Sequence, residues 1–435
     1  MHVQLTLRAL FAVLLLATAL PTHARVRIEH WTTQSGARTY FVQNHALPIV
    51  DISVEFAAGS AYDPRERAGL GQLTLTLLKG GSERYSEAEV DRRIADAGAQ
   101  LHDSLDLDRA GFALRTLSSE TERKAAVDVL ADMLQSPGFP GEIFEREKAR
   151  AIANVAEAET QPDQVAEKRL YALMYPSHPY GWTATRTTLA AISREDVERH
   201  YRARYGAASA TVAIVGDLTV DAAKALAEQL TARLVQGGAP ELLPPVTPAP
   251  GETARVAFPS TQSHVLLGEA VLARDDPDYF PLLVGNYILG GGGFSSRLMI
   301  EVRSKHGLAY SVYSYFYPYS RRGPFQVGLQ TRRDQANEAL KRVQGVISDF
   351  VARGPTAAEL RAAKQSMVGG FPLRIDTNRK LLEQLAVIGF YSLALDWLDT
   401  YPLRLEAVTL DQIRDAFARR VAPGKLATVV VGATD

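Results

Sequence analysis

The feature that most constrains this sequence is an internal duplication. Residues 192–197 read ISREDV, and an apolar run, TVAIVG, follows at 211–216. Adding 216 to each number gives VTLDQI at 408–413 and the apolar run ATVVVG at 427–432, without a gap between the two pairs of segments. A repeat this long, carrying the same order of polar and apolar segments, predicts that the chain contains two copies of one fold.

Each repeated segment has the pattern of a helix followed by a buried strand. Ser193 with Asp196, and Thr409 with Gln412, are spaced as capping boxes, in which a hydroxyl and a later polar side chain satisfy the first amides of a helix. The apolar runs that follow are typical of strands buried on both faces. Both copies are therefore expected to combine helices with a sheet.

We predict an α+β protein of two homologous domains, each a mixed β-sheet packed with helices. The domains are predicted at 25–235 and 254–435, and the segment between them, 236–253, contains five prolines and three glycines, which is typical of a linker. The clearest predicted strands are 49–56, 110–114, 265–272 and 325–329, and the clearest predicted helices, expected to pack on the sheets, are 142–159, 220–235 and 356–368.

The first 24 residues are predicted to be a secretory signal peptide. Arg8 precedes an apolar run at 9–20, and small residues allow cleavage after Ala24. The alternative is an uncleaved membrane anchor, but the run is shorter than the roughly 20 residues that span a bilayer. We expect a mature protein without a membrane segment, located in the periplasm if the source is a Gram-negative bacterium.

Composition excludes several classes of function. Lysine and arginine number 48 against 49 aspartates and glutamates, so the chain has no electrostatic basis for binding nucleic acid. The absence of cysteine excludes disulfides, cysteine nucleophiles and cysteine-based metal sites. None of the nine histidines lies three, four or five residues from another, which excludes a zinc site built on two such histidines of one helix.

Two further motifs have ordinary interpretations. His178 lies in SHPYG, a turn-forming sequence, and is expected to be a loop histidine. The glycines at 290–293 are followed by FSSR rather than by Gly-Lys-Ser/Thr, so they do not form a phosphate-binding loop. No Gly-x-Ser-x-Gly motif of serine hydrolases is present.

Several motifs together carry a family resemblance. They are GGGGFSSRLMIEVRSKHGLAYSVYSYFYPY at 290–319, HPYG at 178–181, and the duplicated strand that ends in Val-Gly. Over about residues 26 to 435 the chain resembles the insulinase/pitrilysin superfamily of zinc peptidases, peptidase family M16. It is most similar to the short bacterial members that work as pairs of half-size subunits.

The zinc motif of that family is missing from this chain. The resemblance implies His-x-x-Glu-His on the first apolar helix and a third ligand, a glutamate, roughly seventy or eighty residues later. Gln72 and Thr76 stand at the two histidine positions, Leu75 stands at the catalytic glutamate, and Asn154 is the counterpart of the third ligand. Three nearby glutamates leave the alignment at Asn154 open: Glu147, Glu157 and Glu159. No metal is therefore expected in this chain.

The second half retains a different part of the family's site. Arg303 and Tyr310 match the arginine and tyrosine with which the family holds the substrate backbone opposite the zinc. A guanidinium and a phenol can donate hydrogen bonds to a peptide carbonyl on which negative charge develops. Without the resemblance, the same residues would be interpreted as a solvated charge on a helix and an aromatic residue at the edge of the core.

Two other features of this region have open interpretations. The glycine run, Gly290, Gly291, Gly292 and Gly293, either lets backbone approach a bound peptide or simply turns the chain. Tyr313, Tyr315, Tyr317 and Tyr319 fall on one face of a strand by their spacing of two. That face either lines a peptide-binding wall or packs half-buried on the sheet.

The resemblance implies a function in a complex. We expect the chain to be the zinc-less subunit of a heterodimeric peptidase, which pairs with a zinc-bearing M16 subunit of similar size and helps to enclose an unfolded peptide. Alone it should be inactive. The alternatives are a peptide-binding or scaffold protein that has left proteolysis altogether, and an autonomous peptidase with a remodelled metal site, which the histidine spacing opposes.

Overall fold

The computed structural model of the chain describes residues 26–236 and 241–432, so the predicted signal peptide lies outside the described residues. We call 26–236 the first half and 241–432 the second half. The strands of the first half are β1 (Glu29–Thr32), β2 (Arg38–Gln43), β3 (Ile49–Phe56), β4 (Gln100–Leu105), β5 (Ala110–Leu117) and β6 (Thr211–Gly216). Those of the second half are β7 (Thr253–Val256), β8 (Gln262–Leu272), β9 (Val312–Phe316), β10 (Gly323–Arg332) and β11 (Ala427–Val431).

The helices alternate with these strands. In the first half they are α1 (Leu70–Leu78), α2 (Glu87–Asp96), α3 (Glu120–Gln135), α4 (Gly141–Ala158), α5 (Pro162–Met174), α6 (Arg186–Ala190), α7 (Arg194–Arg204) and α8 (Val220–Thr231). In the second half they are α9 (Tyr279–Asn286), α10 (Ala336–Arg353), α11 (Ala357–Gly369), α12 (Asn378–Phe390), α13 (Trp397–Ala407) and α14 (Leu410–Arg420). Two π-helical segments follow α9, at Tyr287–Gly291 and Met299–Lys305.

The two sheets have the same topology. The first has the strand order β1-β2-β6-β3-β5-β4, and the second has β7-β11-β8-β10-β9. Apart from β1, each strand of the first sheet has a counterpart in the second, including the one parallel pair at β2/β6 and β7/β11. The prediction of two copies of a mixed sheet is confirmed. Strand β3 has the predicted bounds, and β5, β8 and β10 extend beyond the predicted ones.

The helix starts predicted from the duplication are also present. Ser193 accepts a hydrogen bond from the amide of Asp196 at the start of α7, and Thr409 accepts one from the amide of Gln412 at the start of α14. Helices α4 and α11, expected against the sheets, lie in an outer layer instead. Helix α4 packs on α1 and α6, and α11 packs on α9 and α13.

The halves exchange one helix each. Helix α5 of the first half packs on β8 and β11 of the second sheet, whereas α12 of the second half packs on β6, β3 and β2 of the first sheet. These helices are equivalent, because adding 216 to Pro162–Met174 gives Asn378–Phe390. Each sheet therefore buries one face under a helix that belongs to the other half, and burial of apolar surface stabilises the pairing.

Small residues allow the exchanged helices to approach the sheets closely. A Cβ at Gly389, in α12, would lie 2.7 Å from the ring of Tyr40 and from the methyl group of Thr211 in the first sheet. On the second sheet, a Cβ at Gly268 would lie 2.5 Å from the sulfur of Met174, in α5. The contact at Gly389 is shorter than side chains tolerate, so the packing of α12 requires glycine there, whereas the contact at Gly268 is with the flexible end of a methionine, which can shift.

A buried carboxylate joins the ends of the exchanged helices. Asp108, in the turn between β4 and β5, is fully buried and accepts hydrogen bonds from the hydroxyls of Tyr180 (2.5 Å) and Tyr391 (2.9 Å). It also accepts bonds from the amide (2.6 Å) and hydroxyl (2.9 Å) of Ser320, in the turn between β9 and β10. Burial raises the pKa of Asp108. Because a buried polar group must be hydrogen-bonded, these donors fix both turns and the residues that follow α5 and α12.

The part of the linker that the structure describes packs beside the hydrogen bonds of Asp108, against residues of the second half. Leu243 is buried, and its carbonyl oxygen accepts a hydrogen bond from Arg321 at 2.6 Å. His178 bonds through Nε2 to the carbonyl oxygen of Pro244 at 2.9 Å and accepts from the amide of Tyr180 at Nδ1. His178 thus has a structural role in its turn.

The helix exchange predicts opposite effects for one substitution at two helical glycines. Gly389→Ala should destabilise the protein by about 1–3 kcal/mol, because its Cβ would press α12 away from Tyr40. Gly345→Ala, in α10, meets nothing within 4 Å and should stabilise by roughly 0.5–1 kcal/mol. Urea unfolding of both variants measures this. Equal stabilisation by both would show that α12 does not press on the first sheet.

Candidate functional site

Helix α1, where the family's zinc motif is expected, is held at its first turn by a buried carboxylate. Asp63 accepts hydrogen bonds of 2.8 Å from the amides of Gly69 and Gly71, and Gly69 has the left-handed conformation, with φ of 102°. Burial raises the pKa of Asp63 to about 7, although these amide donors oppose the shift. The start of the helix is therefore well defined, and so is the direction of its side chains.

The side chains of α1 do not form a metal site. Gln72 is exposed and donates a weak hydrogen bond of 3.4 Å to Thr76, whose hydroxyl in turn donates to the carbonyl oxygen of Gln72. Leu75, at the position of the catalytic glutamate, is fully buried in the core of the first half. An amide and a hydroxyl are weak zinc ligands beside imidazole and carboxylate. The donor set here does not fit zinc.

Helix α4 supplies no substitute ligand. Asn154 is exposed on α4, which packs beside α1. Of the glutamates nearby, Glu147 pairs with Arg146 and Glu159 pairs with Arg186. Among the residues that the structure describes, no three histidines, cysteines, aspartates or glutamates are grouped so that they could hold a metal ion.

Beside α1, an aromatic cleft of about 540 Å³ lies between the two halves. Its walls include Gln72, Tyr171, Trp182 and, from the second half, Tyr319. The indole N–H of Trp182 is buried and donates to no described residue. Four carboxylates and one lysine also line the cleft, but among the described residues no three carboxylates are grouped so that they could hold a metal ion.

Arg303 and Tyr310 lie together on the surface of the second half. The guanidinium carbon of Arg303 is 4.7 Å from the centroid of the Tyr310 ring and 4.6 Å from that of Phe294. Tyr310 is 83% exposed and Phe294 is 70% exposed. Cation–π attraction to two rings holds the arginine in place, and no carboxylate of the described residues pairs with it. We call these three residues the Arg303 cluster.

Phe294 was not identified from the sequence as a functional residue. The signal in the sequence that could have identified it is its position directly after the glycine run. Phe294 is 70% exposed and its ring lies against the guanidinium of Arg303, so it belongs to the same surface cluster.

The glycine run is required by packing within the chain. A Cβ at Gly290 would lie 2.3 Å from the hydroxyl of Ser314, and one at Gly292 would lie 2.6 Å from the carbonyl oxygen of Tyr287. A Cβ at Gly291 would lie 2.9 Å from the side-chain amide of Asn286. Gly293 has a φ of 61°, in the left-handed region. These contacts account for the four glycines, and a role in binding peptide stays a prediction.

The row of tyrosines divides into two pairs. Tyr313 and Tyr315 point from the outer face of β9, with nearly parallel rings whose centroids are 6.0 Å apart. Tyr317 and Tyr319 follow the strand, with centroids 5.1 Å apart, and Tyr319 is buried. The prediction that all four tyrosines share one face of a strand is therefore confirmed for Tyr313 and Tyr315 and wrong for Tyr317 and Tyr319, because β9 ends at Phe316.

Comparison with known proteins agrees with this architecture. A family model for insulinase (peptidase family M16) matches residues 38–188, and a model for the M16 inactive domain matches residues 191–367. A crystal structure of a peptidase M16 inactive domain from Pseudomonas fluorescens is 32% identical, has a TM-score of 0.90, and matches over 94% of this chain and 98% of that one.

More distant relatives match over most of their lengths. The non-peptidase homolog YmxG of Helicobacter pylori is 25% identical over 92% of this chain and 93% of its own length. A protein named uncharacterized zinc protease YmxG, from Bacillus subtilis, is 25% identical over 81% of this chain and 86% of its own. With both halves matched and no zinc-ligand set on α1 or α4, the chain belongs to peptidase family M16, among homologues that include inactive, non-peptidase members.

Proposed function

We propose that this chain is the zinc-less subunit of a heterodimeric M16 metallopeptidase. It pairs with a zinc-bearing subunit of similar fold and size, completes the active site of that partner with Arg303 and Tyr310, and helps to enclose unfolded peptides for proteolysis. The proposal is supported by the contrast between the two halves. The metal positions on α1 hold Gln72 and Thr76, whereas the Arg303 cluster of the second half is ordered and open.

The observation that carries the proposal is the state of Arg303. Its guanidinium is oriented by two aromatic rings, which leave its N–H donors without a carboxylate among the described residues. Such a guanidinium, beside a phenol that is 83% exposed, can donate hydrogen bonds to an incoming carbonyl group without rearranging. A structural arginine of this chain looks different: Arg297 makes a bidentate pair with Glu359.

The proposed chemistry divides between the two subunits. The partner's zinc supplies a metal-activated water as the nucleophile. Arg303 and Tyr310 hold the substrate backbone and donate hydrogen bonds to the carbonyl oxygen that gains negative charge. Their contribution is orientation and charge stabilisation, and neither residue transfers a proton.

Export to the periplasm is part of the proposal and rests on the sequence at residues 1–24. Within 26–236 and 241–432, no helix has the length and apolarity needed to cross a membrane. A peptide-binding or scaffold protein without a catalytic partner is the second candidate. The non-peptidase name of the H. pylori relative favours it, and the experiments below separate the two.

The first expectation concerns metal content. The purified mature chain should hold no stoichiometric zinc, because Gln72, Thr76 and Asn154 replace imidazole and carboxylate ligands. Elemental analysis after dialysis against zinc-free buffer measures this. About one tightly bound zinc ion per chain would contradict the assignment of these three positions.

The second expectation concerns restoration of the motif. The triple variant Gln72→His, Leu75→Glu and Thr76→His should remain inactive, because Asn154 still stands at the third ligand position. The variant should also be less stable, since Leu75 is fully buried and a carboxylate there would lose its hydration. Thermal unfolding and a peptide-hydrolysis assay check the two effects. Efficient zinc-dependent hydrolysis by this variant would show that the third ligand is another residue.

The third expectation concerns the Arg303 cluster in the assembled pair. Arg303→Ala or Tyr310→Phe in this chain should lower kcat of the complex by about 10²–10³, the usual effect of removing one preorganised donor at a developing charge. Tyr310→Phe is the sharper test, because it keeps the ring that orients Arg303 and removes only the hydroxyl.

The matched control is Lys305→Ala, which removes a cation of the same π-helical segment that pairs with Glu301. It should leave kcat nearly unchanged. Assembly and the zinc content of the partner must equal those of the wild type. Full activity in both Arg303→Ala and Tyr310→Phe would leave only the scaffold role.

A further inference from the structure

The exchanged helix α5 leaves part of the second sheet uncovered. It packs over β8 and β11, and between its N-terminal turns and the outer strands β9 and β10 lies an open groove of about 620 Å³. Its walls include Asp163 and Glu167 of α5, Tyr313 and Tyr315 of β9, and Gln326 of β10. We call this the tyrosine groove. Glu167 borders both this groove and the aromatic cleft beside α1, and Tyr310 contributes to the wall of the groove.

Two parallel aromatic rings form the face that the sheet presents to the groove. Tyr313 and Tyr315 are inclined by only 9° to each other. Tyr313 lies across Gly328 of the neighbouring strand, where a Cβ would be 2.6 Å from the phenol. Glycine at that position therefore lets the ring lie close to the sheet.

The groove is lined by two carboxylates, Asp163 and Glu167, and by His264 of β8, whose pKa is lowered by burial although the charge of Asp163 opposes the shift. Neither Asp163 nor Glu167 pairs with a lysine or an arginine among the described residues; Asp163 only accepts a long hydrogen bond of 3.3 Å from Gln164. Partial desolvation, with Asp163 nearby, raises the pKa of Glu167. Two unpaired carboxylates so close together repel each other unless a cation joins them.

The groove also contains an unsatisfied acceptor. Gln326 is only 3% exposed, and its side-chain carbonyl oxygen accepts no hydrogen bond from a described residue. It lies directly opposite Tyr315 in the pairing of β10 with β9. A buried acceptor without a donor is unfavourable, so a ligand that brings an N–H group would gain a hydrogen bond here.

We propose that the tyrosine groove binds a lysine or arginine side chain of an extended peptide. Carboxylates, a free carbonyl acceptor and aromatic faces are the groups that attract an ammonium or guanidinium. The volume exceeds that of one side chain, which leaves room for flanking residues. Because Tyr310 borders the groove, a peptide held at the Arg303 cluster can continue into it.

The groove thus gives the proposed function a class of substrate. The inference rests on that function only in taking the ligand to be a peptide. The test uses the purified mature chain alone. Fluorescence anisotropy compares a labelled unstructured peptide that carries one arginine with the same peptide carrying citrulline, which has the shape of arginine without its charge. The citrulline peptide should bind at least about tenfold more weakly.

Glu167→Gln should weaken binding of the arginine peptide about fivefold to tenfold and leave the citrulline peptide unaffected. The matched control is Glu383→Gln, because Glu383 is the equivalent residue of α12, 216 positions later, and does not border this groove. If Glu167→Gln lowers the thermal stability, Asp163→Asn takes its place, since Asp163 borders the tyrosine groove but not the aromatic cleft.

Equal binding of the two peptides, or unchanged binding by Glu167→Gln and Asp163→Asn, would overturn the assignment. Competition by free arginine amide as strong as by the arginine peptide would overturn the peptide part of the proposal. These outcomes are independent of the Arg303 and Tyr310 variants, whose effects are measured as the activity of the assembled pair.

Discussion

Two equivalent helices, each packed on the sheet of the other half, hold this molecule together. Without α12 the first sheet would expose one apolar face, and without α5 the second would do the same. Each half has a core on one face of its sheet, but the opposite face is buried by the helix of the other half. The residues that follow the exchanged helices, Tyr180 and Tyr391, both donate to Asp108, so the turns between the outer strands are fixed by the same exchange.

The exchange also determines where ligands can bind. A single helix cannot cover a sheet of five or six strands, so each sheet keeps uncovered outer strands beside the end of the exchanged helix. In the second half these strands carry the tyrosines. In the first half the corresponding opening is lined by ion pairs, such as Arg115 with Asp51 and Arg109 with Glu55. Divergence of the two copies has therefore left an acidic, aromatic groove on the second sheet, whereas the charged side chains of the opening on the first sheet pair with one another.

Much of the fold follows from the sequence, because capping boxes and apolar runs are local signals. The offset of 216 residues predicted the paired sheets, and β3 has the predicted bounds. Which sheet a helix covers is a tertiary choice, and the apolar face of α5 fits either sheet by pattern alone. Asp163 and Glu167 have the spacing of an ordinary solvated helix face. Gln326 interrupts an apolar strand, and nothing else in the sequence marks it as a binding residue. Only the folded arrangement brings these three residues together.

The proposal that this chain works only with a zinc-bearing partner is tested most directly by reconstitution. Hydrolysis of an unstructured peptide should be measured for each purified subunit and for their equimolar mixture, at equal zinc content of the partner. We expect negligible rates for each subunit alone and a rate restored by mixing. A partner that hydrolyses the peptide alone as fast as the mixture does would contradict the proposal.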